Sequence, residues 1–256
     1  MKKSWKHDFF FCIIRDMKKR SWITIGILVV LWIIFGELVD NSIKLPSFFD
    51  VMIYMKDLLC EFKFYEAFAY TFVRSMFGLI FALVMAIIFG LFSGLSSTFD
   101  EYFHPIYTVL KSIPNVSYIL IVLIWTNSAF ATCAISFMVM FPMAYANVYS
   151  GIKNIEQEYI DVLRLYSPNL FYAIFHVYLP LIQNYIFASI SNGVGLTFKV
   201  GIMAEILGSV SPGLGRQFQL CRINVDMVGV FAWTIWLIIF LICFETIMKK
   251  FKRDNN

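Results

Sequence analysis

Apolar residues in this chain come in long unbroken runs, and polar residues are gathered into the gaps between them. The first run extends from Trp22 to Val39, interrupted only by Glu37. The second covers Ala67 to Leu95, with no charge between Arg74 and Asp100. A third, from Ser112 to Ile152, holds no charge over roughly 40 residues, about 60 Å of helix and twice the hydrocarbon thickness of a bilayer. One crossing does not accommodate it. Thr126-Asn127-Ser128 is its most polar point, and a tight turn there divides it in two. Further runs follow from Leu181 to Gly208 and from Met227 onward. The pattern predicts six spans, at about 22–39, 67–95, 103–125, 130–151, 181–208 and 227–248. Pro105 and Pro114 fall in the third and are expected to break or kink it, since proline lacks an amide donor and clashes with the preceding turn.

Composition agrees. The chain of 256 residues is 60% hydrophobic and 15% charged, with a mean hydropathy of +0.74. A soluble domain carries about 25% charged residues, so the bilayer is the natural solvent. Charge placement sets the orientation. Lys2, Lys3, Lys6, Arg15, Lys18, Lys19 and Arg20 precede the first span, and Lys249, Lys250, Lys252 and Arg253 close the last. Basic flanks stay cytoplasmic, and an even number of spans puts both termini on that side. The acidic stretch Asp40–Glu66 then lies outside. Residues 1–21 read as a basic tail, 22–250 as one transmembrane domain, and 251–256 as a second tail. The first run has no small-residue cleavage site and reads as a retained helix. Phe9 to Ile14 reads as an interfacial helix or a frayed tail. The five cysteines are scattered and form no metal-ligand cluster with histidine. A basic tail abutting a span argues for the lipid bilayer as its partner, and nucleic acid is not expected.

The most informative segment is polar. In Glu156 to Pro180, Tyr159, Val162, Leu163 and Tyr166 fall at i, i+3, i+4 and i+7, one face of a helix. Glu158 and Asp161 sit near its start, where the helix dipole favours anions. Ser167-Pro168-Asn169 turns the chain, and a second short helix from Leu170 to Tyr178 leads to Pro180. This is a cytoplasmic helix–turn–helix with an apolar ridge that needs a partner.

The segment resembles the "EAA" loop of binding-protein-dependent ABC importer permeases. With Leu179-Pro180 aligned to the loop's closing Leu-Pro, Asp161-Val162-Leu163 occupies the Glu-Ala-Ala position, Arg164 the Arg, and Ser167 the Gly, without gaps. Asp replaces Glu, Val-Leu replaces Ala-Ala, and Ser-Pro replaces the Gly turn. Thr71-Phe72-Val73-Arg74-Ser75-Met76-Phe77-Gly78, Pro105, Ser112-Ile113-Pro114-Asn115, Phe141-Pro142 and Asn147 are similar to the family's second to fourth spans. Ala204-Glu205-Ile206-Leu207-Gly208 with Gly213-Leu214-Gly215 is similar to the end of its fifth. The set is nearest the branch that moves sulfonates, taurine, nitrate and thiamine-precursor pyrimidines. The resemblance implies an all-α membrane protein of the type I importer permease fold, with about six transmembrane helices and a cytoplasmic coupling helix–turn–helix. It also implies a prokaryotic plasma-membrane location, a separate ATPase subunit, an extracytoplasmic solute-binding protein and a second permease subunit, expected to be an identical copy. Glu158, Asp161, Val162, Leu163, Arg164, Tyr166 and Ser167 would couple to the ATPase. No cofactor is implied; ATP belongs to the other subunit, as this chain has no Walker A motif.

Charges inside the membrane are costly and usually face a pore or a partner. The fifth span contains Lys199 and Glu205. Ser189, Gly193, Thr197 and Gly201 form a small-residue stripe suited to close packing. Ser191, Gly195 and Lys199 form the neighbouring stripe. With Glu205, they are the expected lining of the translocation path for a small polar or anionic solute. Lys199 has a second reading, as a side chain that snorkels to an interface. An ATP-independent channel or an ion-coupled transporter is the alternative function, though no inverted repeat is visible. An intramembrane enzyme is more remote, and the chain is not expected to be one. His7, His104 and His176 are far apart, and neither an H-E-x-x-H nor a Gly-x-Ser-x-Gly element occurs.

Overall fold

The computed structural model describes residues 19–39, 41, 44–126, 128–166 and 168–254. The basic N-terminal tail and the 9–14 run lie outside these residues. Every regular element among the described residues is helical. The chain divides into two compact units, one formed by residues up to Tyr65 together with those from Gln217 onward, the other by Glu66–Arg216.

In the first unit, α1 (Lys19–Val39) matches the first apolar run. The acidic stretch read as an external loop contains a helix, α2 (Phe48–Leu58). Its charges hide an apolar face: Val51, Met55 and Leu58 follow helical spacing and are buried. Asp50 in the first turn and Lys56 in the last match the dipole. The unit's remaining long helix, Met227–Asp254, is numbered α10 below. Its Trp236 indole N–H donates to the Met55 carbonyl at 3.1 Å, and Trp233 stacks on Phe64 at 5.5 Å. Trp32 of α1 donates to the Pro46 carbonyl and packs edge-on against Phe48.

The second unit begins within α3 (Phe62–Leu95) and continues through α4 (Ser97–Ser112), α5 (Asn115–Trp125), α6 (Ser128–Lys153), α7 (Gln157–Tyr166), a short α8 (Leu170–Ala173) with a π-helical turn (Ile174–Tyr178), and α9 (Leu179–Gly208). A helix at Leu214–Ile223, between the fifth and last spans read from the sequence, leads on to α10. Helices α6 and α9 share the most extensive packing of the unit. Ser189, Thr197, Gly193 and Gly201 are buried there, so the small-residue stripe does serve close approach. A Cβ on Gly193 would lie 2.8 Å from the Met140 sulfur and 2.9 Å from Leu79 Cδ1. A second core gathers Leu91, Val148, Ile152 and Ile182.

Of the six spans read from the sequence, four are long and apolar enough to cross a membrane: Phe62–Leu95, Phe130–Lys153, Leu170–Gly208 and Met227–Met248. The α4–α5 pair makes a fifth if counted as one span, and the apolar part of α1, Ile23–Val39, is shorter. The third span departs from the straight 103–125 helix expected. Its two halves meet at 95°. Ile113 is extended (φ −72°, ψ 127°) because the ring of Pro114 disfavours the helical conformation for the residue before it. Pro105, by contrast, sits inside α4 without ending it. Ser96, in a segment read as a loop, instead caps α4 by accepting from the Phe99 amide.

Candidate functional site

Helix α7 forms where Gln157, Glu158 and Asp161 stabilise its first turns. Gln157 donates to the Asp161 carboxylate at 3.0 Å, and Arg164 lies 3.8 Å from it. Both members of that ion pair are well exposed, so it adds little to stability. Glu158, Asp161, Val162, Arg164 and Tyr166 all face outward. Leu165, absent from the apolar ridge read from spacing, is 81% exposed, beside Tyr166 at 78%. Leu163 instead turns toward the membrane helices, half-buried at a cavity of about 490 Å³ that Gly94, Leu95 and Ile152 also line. Ser167 lies outside the described residues. Asn169 then caps α8 by accepting from the Phe171 amide. Leu170, Phe171, Tyr172 and Phe175 are exposed as well. The result is an apolar and aromatic surface on two short helices, seated on the Leu91–Ile182 core through Ile155, Ile174 and Tyr178. Apolar patches of this kind mark interaction sites.

The residues placed on the path separate into two groups. Ser191 and Gly195 are partly open and Lys199 is exposed. A Cβ on Gly195 would meet nothing within 4 Å. Glu205 belongs elsewhere. It has no exposed surface, and its carboxylate accepts from the Thr71 hydroxyl (2.7 Å), the Gly215 amide (3.0 Å) and the Arg74 guanidinium (3.2 Å). Arg74 also donates to the Pro212 carbonyl at 2.6 Å, and Thr71 accepts from the Leu214 amide at 2.8 Å. Glu205 therefore ties α3, α9 and the 209–215 loop together rather than facing an opening. Gly215 is glycine because a side chain there would collide with Glu205 and come within 2.6 Å of the Ile206 amide nitrogen. Arg74, not among the site residues read from the sequence, is its charged partner. The signal was available: α3 and α9 cross in opposite senses, so a cation early in one and an anion late in the other lie at similar depth.

A family model described as "binding-protein-dependent transport system inner membrane component" matches residues 63–255. The chain belongs to this family of ABC importer permeases. It is the membrane-embedded subunit of a binding-protein-dependent transport system, a multi-pass inner-membrane protein. A relative in Bacillus subtilis (strain 168), the putative aliphatic sulfonates transport permease protein SsuC, is 22% identical over 213 residues, covering 82% of this chain and 76% of the relative. A solved structure of the MetNI methionine ABC transporter, in inward-facing conformations, superposes with a TM-score of 0.65 at 16% identity over 75% of this chain and 94% of that one. That likeness shows the type I permease fold. Membership in the permease family implies an ATPase and a solute-binding protein as partners.

Proposed function

We propose that this permease takes residues 22–250 as one transmembrane domain with both termini cytoplasmic, pairs with a second copy of itself, and moves a small anionic solute of the sulfonate type. The solute class rests on the relationship to the sulfonate permease and on the cation that α9 presents on its open face. ATP is bound and hydrolysed by the partner, and this chain performs no catalysis. The observation that carries the coupling role is the exposed surface of α7 and α8. Val162, Leu165 and Tyr166 are apolar anchors for a groove in the ATPase, while Glu158, Asp161 and Arg164 fix the register, a helix-in-groove contact. Closure of the ATPase pair on ATP moves the permease only through the nucleotide's different affinity for the two states. Ser191, Gly195 and Lys199 line the path; Glu205 holds the outer end of α9 in place.

The test is co-purification of the ATPase from gently solubilised native membranes. An Asp161→Lys/Arg164→Glu double variant and a Leu165→Asp variant are expected to retain about one tenth or less of the ATPase bound by the wild type, since a buried anchor or mismatched charge costs at least about 1.4 kcal/mol. Wild-type permease that emerges without an ATPase, under conditions that preserve other importers, would instead favour an ATP-independent channel or an ion-coupled transporter.

A further inference from the structure

The elbow between α4 and α5 is more than a kink. Through α4 and α5 the chain follows α6 in reverse order, as successive contacts show. The Tyr149 hydroxyl donates to Asp100 at 2.7 Å, Tyr107 packs on Tyr145 at 4.8 Å, and Tyr118, Ile119 and Val122 share a core with Ile135 and Val139. That register puts the elbow beside Pro142 and Met143, about midway along the spanning segment Phe130–Lys153. Lys111 sits at the elbow with its side chain exposed. Two adjoining cavities, of about 260 and 510 Å³, open there, and Tyr107, Lys111 and Ala146 line both. Asn115 and Asn147 line the first, and His104 the second. These volumes are of the order of small-molecule sites, roughly 300–1,000 Å³.

The ammonium of Lys111 lies 5.8 Å over the Tyr107 ring, and among the described residues no carboxylate forms an ion pair with it. An ionisable side chain at membrane depth is costly unless it has a partner or a water-filled cavity, and such residues mark solute or ion pathways. The α6 side of the first cavity is largely apolar (Met138, Val139, Pro142, Met143, Ala146) with Asn147 as its polar group, whose amide also donates to Ser189 of α9 at 2.9 Å. We propose that Lys111, with Tyr107, Asn115 and Asn147, forms an anion-recognition site within the permease, selecting a monoanionic oxyanion head such as a sulfonate. Lys111 supplies the charge and three donors, and the two amides add neutral donors. The site rests on the importer reading for its role in transport, but its anion affinity belongs to this chain alone. It also differs from the path residues on α9, for neither Lys199 nor Ser191 lines these cavities.

The experiment measures equilibrium binding of radiolabelled ethanesulfonate to the full chain in nanodiscs, with nitrate as competitor and neutral ethanesulfonamide as control. Wild type is expected to bind ethanesulfonate, with nitrate displacing it and the sulfonamide failing to. Lys111→Met should weaken binding about tenfold or more, and Lys111→Arg should restore it to within about threefold, since the charge is kept and the geometry altered. Undiminished binding by Lys111→Met, or no binding by wild type above empty nanodiscs, overturns the proposal. Co-purification of the ATPase with Lys111→Met shows that the variant is assembled. Anion binding that depends on Lys111 in a permease lacking any ATPase partner would leave the site standing and remove the importer reading.

Discussion

Glu205 and Arg74 are the costliest charges in the described structure to leave alone. The carboxylate has no exposed surface and the guanidinium side chain is 15% exposed. Truncating one member of such a pair strands the other, at roughly 3–5 kcal/mol. Glu205→Ala should therefore lower the thermal unfolding midpoint of the permease in detergent by many degrees. Joint replacement by Arg74→Met and Glu205→Met should recover part of the loss, because no charge is then stranded. Recovery should be incomplete, since the Gly215 amide loses its acceptor and the Pro212 carbonyl its donor. A Glu205→Ala protein as stable as wild type would mean the cluster holds nothing together. At this scale the sequence showed only that Glu205 was an intramembrane anion. Its role depended on a cation 131 positions earlier in the chain.

Helix α9 carries two faces that look alike in sequence and differ in use. The Ser189–Gly201 stripe is pressed against α3 and α6, while the Ser191–Lys199 stripe is open. Gly193→Val and Gly195→Val therefore make a matched test. Valine at 193 must displace Met140 and Leu79, an overpacking cost of about 1–3 kcal/mol. Valine at 195 meets open space. Thermal unfolding should separate the two, with the midpoint falling for Gly193→Val and nearly unchanged for Gly195→Val. Equal loss would remove the distinction between packed and open faces. The stripes themselves were legible, because helical spacing is a local property. Which stripe is packed was not, because that depends on the rotation of α9 against its neighbours. The coupling helix gives the same lesson: spacing put Leu163 on the outer ridge and left out Leu165, whereas the seating of α7 on the second unit turns Leu163 inward.

For the whole molecule, the proposed orientation makes the Asp40–Glu66 stretch external and the helix–turn–helix internal. Cys60 is exposed in the first, and Cys221 is buried. Burial, then the nearby charge of Asp226, pushes the Cys221 thiol up to about 11. The thiolate is the reactive form, so at pH 8 only roughly one Cys221 in a thousand is ready to react. A membrane-impermeant maleimide added to intact cells should label Cys60 and spare Cys221. Labelling of Cys221 should rise as pH approaches 11 or when the protein is denatured. Cys60 that reacts only after the cells are opened would invert the topology.

The apolar runs, the coupling segment and the all-helical class could be read without coordinates. Each depends on stretches of about 20 contiguous residues, and lipid demands that such stretches satisfy their own backbone hydrogen bonds. A helix as short as α2 escaped notice because its apolar face is interleaved with charge. The 95° bend at Pro114, the cavity it opens around Lys111, and the burial of Glu205 emerged only once distant segments were set side by side. Proline marks where a helix can break, but its neighbours set the angle. An intramembrane charge demands a partner or an opening, and only the packing of separate helices tells which of the two it has.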